Sequence, residues 1–148
     1  MSVDTAAVEA VNQAFYTAIE NADLDLMTAI WAEETGGGQV SCVHPGWPIV
    51  SGRAEVLRSW ALIMANTPYI QFVLTDVNVM VHGDVAVLTC EENILTAGDE
   101  GDSSFAAGKV VASNTFVRTP EGWRLWLHHG SPVLQGEDDG DDEEEGVA

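Results

Sequence analysis

The chain has 148 residues, with 24 acidic residues against five basic ones and a formal net charge of −19 at pH 7. A nucleic-acid partner is not expected, because phosphate backbones are bound by lysine and arginine. No apolar run approaches the roughly 20 residues that cross a bilayer, and the first residues lack the basic charge of a secretory signal, so we expect a cytoplasmic protein without a membrane partner.

The acidic residues fall into two groups. Eight of them lie in residues 137–145, and the remaining 16 against five bases still leave a net charge of −11. We therefore predict one folded domain over residues 1–134 and a disordered acidic tail over residues 135–148. The acidity of the folded part is typical of halophilic proteins, in which molar salt screens self-repulsion. An ordinary acidic cytosolic protein is the alternative.

Three amphipathic helices are predicted in the first half of the chain. Apolar residues at three- and four-residue steps predict a first helix over Asp4–Asn21, with its first residue as N-cap. A second is predicted over Leu24–Glu34, ended by the glycines at 36–38. A third is predicted over Arg53–Asn66, with Gly52 as N-cap and a glutamate at its third position that caps back.

Strands dominate the second half, where the apolar residues alternate. A short strand is predicted over Gln39–His44, before the third helix. Four longer strands rich in Val, Thr and Phe follow it: Tyr69–His82, Asp84–Leu95, Ala107–Arg118 and Trp123–His129. Helices followed by an antiparallel meander predict an α+β fold.

The turn at Gly83-Asp84 sets the register of the first hairpin. A two-residue turn pairs His82 with Val85, and counting back along the apolar face then places Thr75 opposite Glu92. A carboxylate among apolar neighbours requires a partner or a raised pKa. Glu92 is therefore a functional candidate, and a salt bridge to an arginine such as Arg58 is the alternative.

The last hairpin brings two further polar residues together. Its turn chemistry, Thr-Pro-Glu-Gly-Trp, predicts that Thr119 pairs with Trp123. This register places Phe116 opposite Trp126 and Asn114 opposite His128. Asn114 can donate to a carbonyl or oxyanion of a ligand, or it can merely satisfy the neighbouring strands.

Four motifs together resemble the nuclear transport factor 2-like superfamily over residues 4–133. They are Asn-Ala-Asp-Leu-Asp at 21–25, Val-His-Pro-Gly-Trp-Pro at 43–48, Gly-Arg at 52–53, and Gly-Trp-Arg at 122–124 with His-His-Gly-Ser-Pro at 128–132. The superfamily includes SnoaL-like polyketide cyclases, ketosteroid isomerase and the association domain of calmodulin-dependent kinase. The resemblance implies a cone-shaped fold with three N-terminal helices packed on a curved, mainly antiparallel sheet, a pocket at its open mouth, and a homodimer built through the sheets.

The resemblance to ketosteroid isomerase also implies roles for individual residues. His44-Pro45 matches the Asp-Pro of its general base, and Asn114 matches its protonated aspartate. The tyrosine of its oxyanion site matches Phe15, so that donor is expected to be absent. His44 is therefore the expected base and Asn114 the polarising group, whereas a turn histidine bonded to backbone is the alternative for His44.

The predicted site contains four polar residues and five aromatic walls. The catalytic candidates are His44, Asn114, Glu92 and His128, and the ligand-binding candidates are Phe15, Trp31, Trp60, Phe116 and Trp126. His128 and His129 point to opposite faces of one strand and cannot bind the same metal ion, so neither a metal nor another cofactor is expected. Cys42 and Cys90 are expected to be separate reduced thiols.

These residues predict a pocket protein for a small molecule. The leading hypothesis is an isomerase, cyclase or dehydratase of SnoaL-like type that acts on a small apolar carbonyl compound, with His44 as general base. The alternative is a non-catalytic ligand-binding or dimeric assembly module. The two hypotheses differ in whether the polar side chains converge on one point of the pocket.

Overall fold

Three helices pack against one face of a six-stranded sheet in the computed structural model, which describes residues 2–34, 38–97 and 105–134. The helices are α1 (Val3–Asn21), α2 (Leu24–Ile30) and α3 (Arg53–Ala65). The strands are β1 (Ser41–Val43), β2 (Val50–Ser51), β3 (Ile70–His82), β4 (Val85–Ala97), β5 (Phe105–Thr119) and β6 (Gly122–Pro132), in the sheet order β2-β1-β6-β5-β4-β3. All strand pairs except β1 with β6 are antiparallel, so the predicted α+β class is confirmed.

Two helix ends differ from the prediction. Ser2, not Asp4, caps α1 by accepting a hydrogen bond from the Thr5 amide at 3.0 Å. The side chain of Asp4 instead binds the Arg118 guanidinium on β5. The second helix ends at Ile30 and not at residue 34, because Trp31 adopts an extended conformation and forms a bridge to β6.

The side chain of Glu34, which was predicted to end the second helix, accepts hydrogen bonds from two backbone amides. Its Oε2 accepts hydrogen bonds from the Arg53 amide at 2.9 Å and from the Val40 amide at 3.1 Å. It thereby caps the N-terminus of α3, whose N-cap Gly52 has no side chain to do so. The predicted capping by Glu55 is wrong, because that carboxylate pairs with Arg58.

A bulge in β3 changes the register of the first hairpin. His82 pairs with Val85 as predicted, but the ladder shifts between Thr75 and Asn78, where Asp76 has a φ of 53°. An extra residue in one strand moves all later pairs by one position. Leu74, not Thr75, therefore lies opposite Glu92.

A bulge in β6 offsets an error in the predicted register of the last hairpin. Thr119 pairs with Gly122 around a two-residue turn, so its predicted pairing with Trp123 is wrong. Phe116 consequently lies opposite Leu125 and not Trp126. The register shifts again between Thr115 and Phe116, with Trp126 as the extra residue of β6. This shift restores the predicted pairing of Asn114 with His128.

The short parallel strand β1 brings the first half of the chain to the last strand. Cys42 pairs with His128 on β6, so His44 leaves the sheet next to that strand. Cys42 and Cys90 are both buried and free, as expected. The predicted acidic tail and the glycines at 36 and 37 lie outside the described residues. No helix in the described part of the chain is long and apolar enough to cross a membrane.

The Glu34→Ala variant is expected to lose about 1 kcal/mol of unfolding free energy, because one carboxylate satisfies the first amide of α3 and the amide that leads into β1. Urea unfolding measures the loss. Glu33→Ala removes a neighbouring carboxylate that is 75% exposed and lies 3.7 Å from Arg53. Equal losses in the two variants would contradict the capping role of Glu34.

Candidate functional site

A cavity of about 290 Å³ opens between α1, α3, β3, β4 and the turn after β1. We call it the mouth cavity. Three of its lining residues are ionisable: His44, Glu92 and His128. The others are apolar or aromatic: Ile19, Pro45, Trp47, Trp60, Ile63, Ile70, Phe72 and Ile94. The volume suits a small ligand whose surface is mostly apolar.

The turn after β1 holds the His44 ring in this cavity. The Trp47 amide donates to the His44 carbonyl at 2.8 Å, which closes the turn. Pro45 packs on Gly130, where a Cβ atom would lie only 3.2 Å from the proline ring. The imidazole packs edge-on against Trp47 and Trp60, with ring centroids 4.7 and 4.6 Å apart. Its direction is therefore set by contacts on both sides, and only 2% of the residue is exposed.

Ser59 decides which nitrogen of His44 carries the proton. The Ser59 hydroxyl lies 2.7 Å from the Val56 carbonyl oxygen, to which it donates. Its single proton is then used, so Ser59 Oγ can only accept from His44 Nε2, which lies 2.8 Å away. His44 therefore has its proton on Nε2. The lone pair of Nδ1 remains available, with the Cys42 sulfur at 3.9 Å as its hydrogen-bond contact in the described residues.

A buried hydrogen-bond chain orients His128 in the same way. His128 Nδ1 lies 2.6 Å from Asn114 Oδ1, which accepts its proton. The Asn114 amide group donates to Asn12 at 2.8 Å and to the Tyr16 hydroxyl oxygen at 3.2 Å. Both amide protons are thus used within the protein. Asn114 orients His128 and Tyr16, and it does not line the cavity.

The chain ends at the Glu92 carboxyl. Tyr16 donates its hydroxyl proton to Glu92 Oε2 at 2.5 Å. The tyrosine pKa is held far above its usual value, by burial first and by the Glu92 charge second, so Tyr16 remains a donor. The predicted salt bridge from Glu92 to Arg58 is not formed, because Arg58 pairs with Glu55.

Burial raises the pKa of the carboxyl group in the mouth cavity and lowers the pKa values of its two imidazoles. The pKa of Glu92 rises to about 7, because burial disfavours the carboxylate more than the Tyr16 hydrogen bond favours it. Burial lowers the pKa of His44 to about 4. Burial, together with the nearby His44 and His129, lowers the pKa of His128 to about 3. Near neutral pH the site therefore combines two neutral imidazoles with a carboxyl group that is partly protonated.

The predicted wall residues are divided between the cavity and the core. Trp60 lines the cavity, and Phe15 packs behind it against Trp60 and His128. Trp31 and Phe116 are buried elsewhere, and Trp126 packs partly buried at the β6 bulge.

Sequence reasoning missed Asn12, Tyr16 and Ser59. Asn12 and Tyr16 stand four residues apart on an otherwise apolar helix face, and this spacing was the available signal. Tyr16 follows Phe15 in α1, but its hydroxyl proton is used by Glu92 and its side chain is not among the described residues that line the mouth cavity. No cluster of three or more His, Cys, Asp or Glu side chains that could hold a metal ion occurs within residues 2–34, 38–97 and 105–134.

Comparison with known proteins agrees with this fold. A model of the SnoaL-like domain family matches residues 8–135. The chain belongs to the SnoaL-like family. A crystal structure from Streptomyces avermitilis, provisionally described as a dehydratase of the nuclear transport factor 2-like family, is 51% identical, covers 89% of this chain and 97% of its own, and has a TM-score of 0.83.

Two further relatives carry different descriptions. A structure from Thiobacillus denitrificans, provisionally described as a calcium/calmodulin-dependent protein kinase type II association domain, is 31% identical, covers 85% of this chain and 94% of its own, and has a TM-score of 0.72. The F-box protein SKIP8 of Arabidopsis thaliana is 26% identical over 130 residues, which is 88% of this chain. The chain spans about half the length of that relative, 51%. Proteins similar to this chain therefore carry more than one description.

The Glu92→Gln variant is expected to gain stability relative to the native chain as pH rises. The folded pKa of Glu92 lies above its unfolded value of 4.5, so the stability from its protonated form is complete below about pH 4.5 and is lost as pH rises through about 7. The stability difference should change by up to about 3 kcal/mol between pH 4 and pH 8.

Urea unfolding of both proteins at the two pH values measures this change. Glu55→Gln removes one exposed carboxylate of α3 and serves as the charge-matched control. If Glu55→Gln produces the same pH-dependent gain, net charge and not the burial of Glu92 explains the effect.

Proposed function

We propose that the mouth cavity binds a small, largely apolar carbonyl compound and moves a proton on the carbon next to its carbonyl group. This step is common to isomerases, cyclases and dehydratases. The observation that carries the proposal is that His44 and Glu92 line one cavity and have pKa values displaced in opposite directions. Such separated pairs are a mark of acid and base roles in active sites.

The displaced pKa values reverse the usual roles of imidazole and carboxyl groups. His44, with a pKa of about 4, stays neutral at pH 7, and its Nδ1 lone pair acts as the base. Glu92, with a pKa of about 7, is protonated in a large share of molecules and donates to the ligand carbonyl. Glu92 thus takes the polarising role that the sequence suggested for Asn114, whose two amide protons are already used.

The proposed step transfers one proton, and the positive charge on the imidazole and the negative charge on the ligand oxygen arise together. The proton on the carbon next to the carbonyl passes to His44 Nδ1, while the electron pair of the broken C–H bond moves toward the carbonyl oxygen. The Glu92 hydroxyl donates to that oxygen as negative charge develops on it. The imidazolium then returns its proton to another carbon in an isomerisation, or to a leaving hydroxyl group in a dehydration.

The descriptions of two similar structures support two different functions for the mouth cavity, one catalytic and one not. The description of the Streptomyces avermitilis structure as a dehydratase favours proton transfer. The association-domain description of the Thiobacillus denitrificans structure favours a non-catalytic assembly module. The buried chain from His128 to Glu92 supports the enzyme, because an apolar core in its place would avoid the cost of burying polar groups.

Deuterium exchange next to the carbonyl of cyclohexanone tests the proposal without knowledge of the natural substrate. In D₂O the native chain is expected to accelerate this exchange. The His44→Gln variant should lose about 100-fold of that acceleration or more, as is usual when a general base is removed. Exchange should be fastest between about pH 4 and pH 7, where His44 is neutral and Glu92 protonated.

His129→Gln is the matched control, because His129 is the exposed neighbour of His128 on the opposite face of β6. Ligand binding without accelerated exchange would support the non-catalytic alternative. Equal losses in His44→Gln and His129→Gln would remove His44 from the base role.

We also propose that the protein is a homodimer through the outer face of the sheet. Apolar side chains exposed on that face include Val73, Met80 and Val111, which are 63%, 51% and 43% exposed. A second copy of the chain would cover them, because the same patch can pair with itself about a two-fold axis.

Light scattering of Val111→Lys tests the dimer. This variant should give the monomer mass at concentrations where the native chain gives twice that mass. Ile49→Lys is the control, because Ile49 is exposed in the turn between β1 and β2 and lies outside the outer sheet face. A native chain that is monomeric would overturn the proposal.

A further inference from the structure

A second cavity, of about 590 Å³, lies between α2, the start of α3 and the β5–β6 turn. Arg53 and Arg124 line it, and we call it the arginine cleft. Ala29 and Pro120 add apolar surface, and the almost fully buried Trp31 lies against it. Among the described residues, the cleft shares no lining residue with the mouth cavity. Its size is within the range of small-molecule sites.

Two of the five basic residues of the chain therefore face one cavity. The other three have close carboxylate partners: Arg58 with Glu55, Lys109 with Glu91 at 3.4 Å, and Arg118 with Asp4 at 2.9 Å. In a chain with 24 acids, a carboxylate partner is easily supplied. The weaker pairing of the two cleft arginines is thus a specific feature of this cavity.

Within the described residues, the Arg124 guanidinium makes a hydrogen bond to the backbone and none to a side chain. One terminal nitrogen donates to the Trp123 carbonyl oxygen at 2.9 Å. No carboxylate of residues 2–34, 38–97 and 105–134 lies within 4 Å of its guanidinium. The remaining donors of this planar group are available to a ligand.

Arg53 is held in place but incompletely satisfied. Its Nη2 donates to the Thr28 carbonyl oxygen at 2.6 Å, and Glu33, which is 75% exposed, lies 3.7 Å away. Its Nε is buried and has no hydrogen-bond partner in the described residues. A buried unsatisfied donor is costly, so Arg53 retains hydrogen-bonding capacity that no described residue uses.

We infer that the arginine cleft binds a small organic monocarboxylate. A carboxylate is planar and accepts paired hydrogen bonds from guanidinium groups, while the apolar walls contact the body of the ligand. Glu33 and Glu121 also line the cleft, and the chain as a whole is strongly acidic. These charges disfavour polyanions such as phosphate dianions and select a ligand with a single negative charge.

Benzoate and its neutral isostere benzamide test the inference. In ¹⁵N-resolved NMR, benzoate is expected to shift the Trp31 indole and Arg124 Nε signals in a saturable manner, with a dissociation constant on the order of millimolar at low salt. Benzamide should bind at least about 10-fold more weakly, because it lacks the charge that the arginines recognise.

Arg124→Gln should weaken benzoate binding about 10-fold or more, because it removes the guanidinium without a carboxylate partner. Arg58→Gln, which removes an arginine outside the cleft, should leave binding unchanged. Arg53→Gln is a second cleft variant, and loss of benzoate binding in a folded Arg53→Gln chain would support the same site.

Four results would overturn the inference. They are equal affinity for benzoate and benzamide, an equal loss in Arg58→Gln and Arg124→Gln, signal changes at His44 in place of Trp31, and no saturable shift at all. Failure of cyclohexanone exchange at the mouth cavity would leave this result unaffected, because the two cavities share no residue.

Discussion

The burial of the Glu92 carboxyl group is the constraint on which the site depends. Glu92 is only 3% exposed and lies on the sheet face that α1 covers. A buried carboxylate is expensive unless hydrogen bonds or protonation compensate it. Tyr16 supplies one hydrogen bond, and the rise of the Glu92 pKa to about 7 supplies the rest of the compensation through protonation. The unusual acid strength therefore follows from the packing of a helix on a sheet.

The polar groups around Glu92 form one connected hydrogen-bond chain, in which each side chain donates a proton to the next. His128 donates to Asn114, and Asn114 donates to Tyr16, which donates to Glu92. Buried networks of this kind are stable only when each member is satisfied. On the other side of the cavity, Ser59 orients His44 in an equivalent manner. These neighbours determine which ring nitrogen of each histidine carries the proton, whereas burial keeps both imidazoles neutral.

The few basic residues of the chain perform separate tasks. Arg118 ties α1 to the β3–β4 turn through Asp4 and Asp84, and it lies over the Trp123 ring at 4.5 Å. Arg53 and Arg124, in contrast, surround the arginine cleft. The mouth cavity contains no arginine or lysine, so its carboxyl group is not neutralised by an ion pair. This absence of a cation is what allows burial to raise the pKa of Glu92.

The sequence alone was sufficient for the order of the helices and the long strands, the α+β class and the inward direction of His44. The predicted pairing of Asn114 with His128 was correct only because the bulge at Trp126 offset the wrong register of the last turn. The correctly predicted features have a local origin. These features follow from local periodicity and turn chemistry, which a short stretch of chain contains in full. It was insufficient for the bulges at Asp76 and Trp126, because a bulge is selected by packing across strands. Tyr16 and Ser59 reach the site from helices distant in sequence. The opposite pKa shifts of Glu92 and His44 were decided only by the tertiary structure, since a pKa depends on burial and on neighbours that folding brings together.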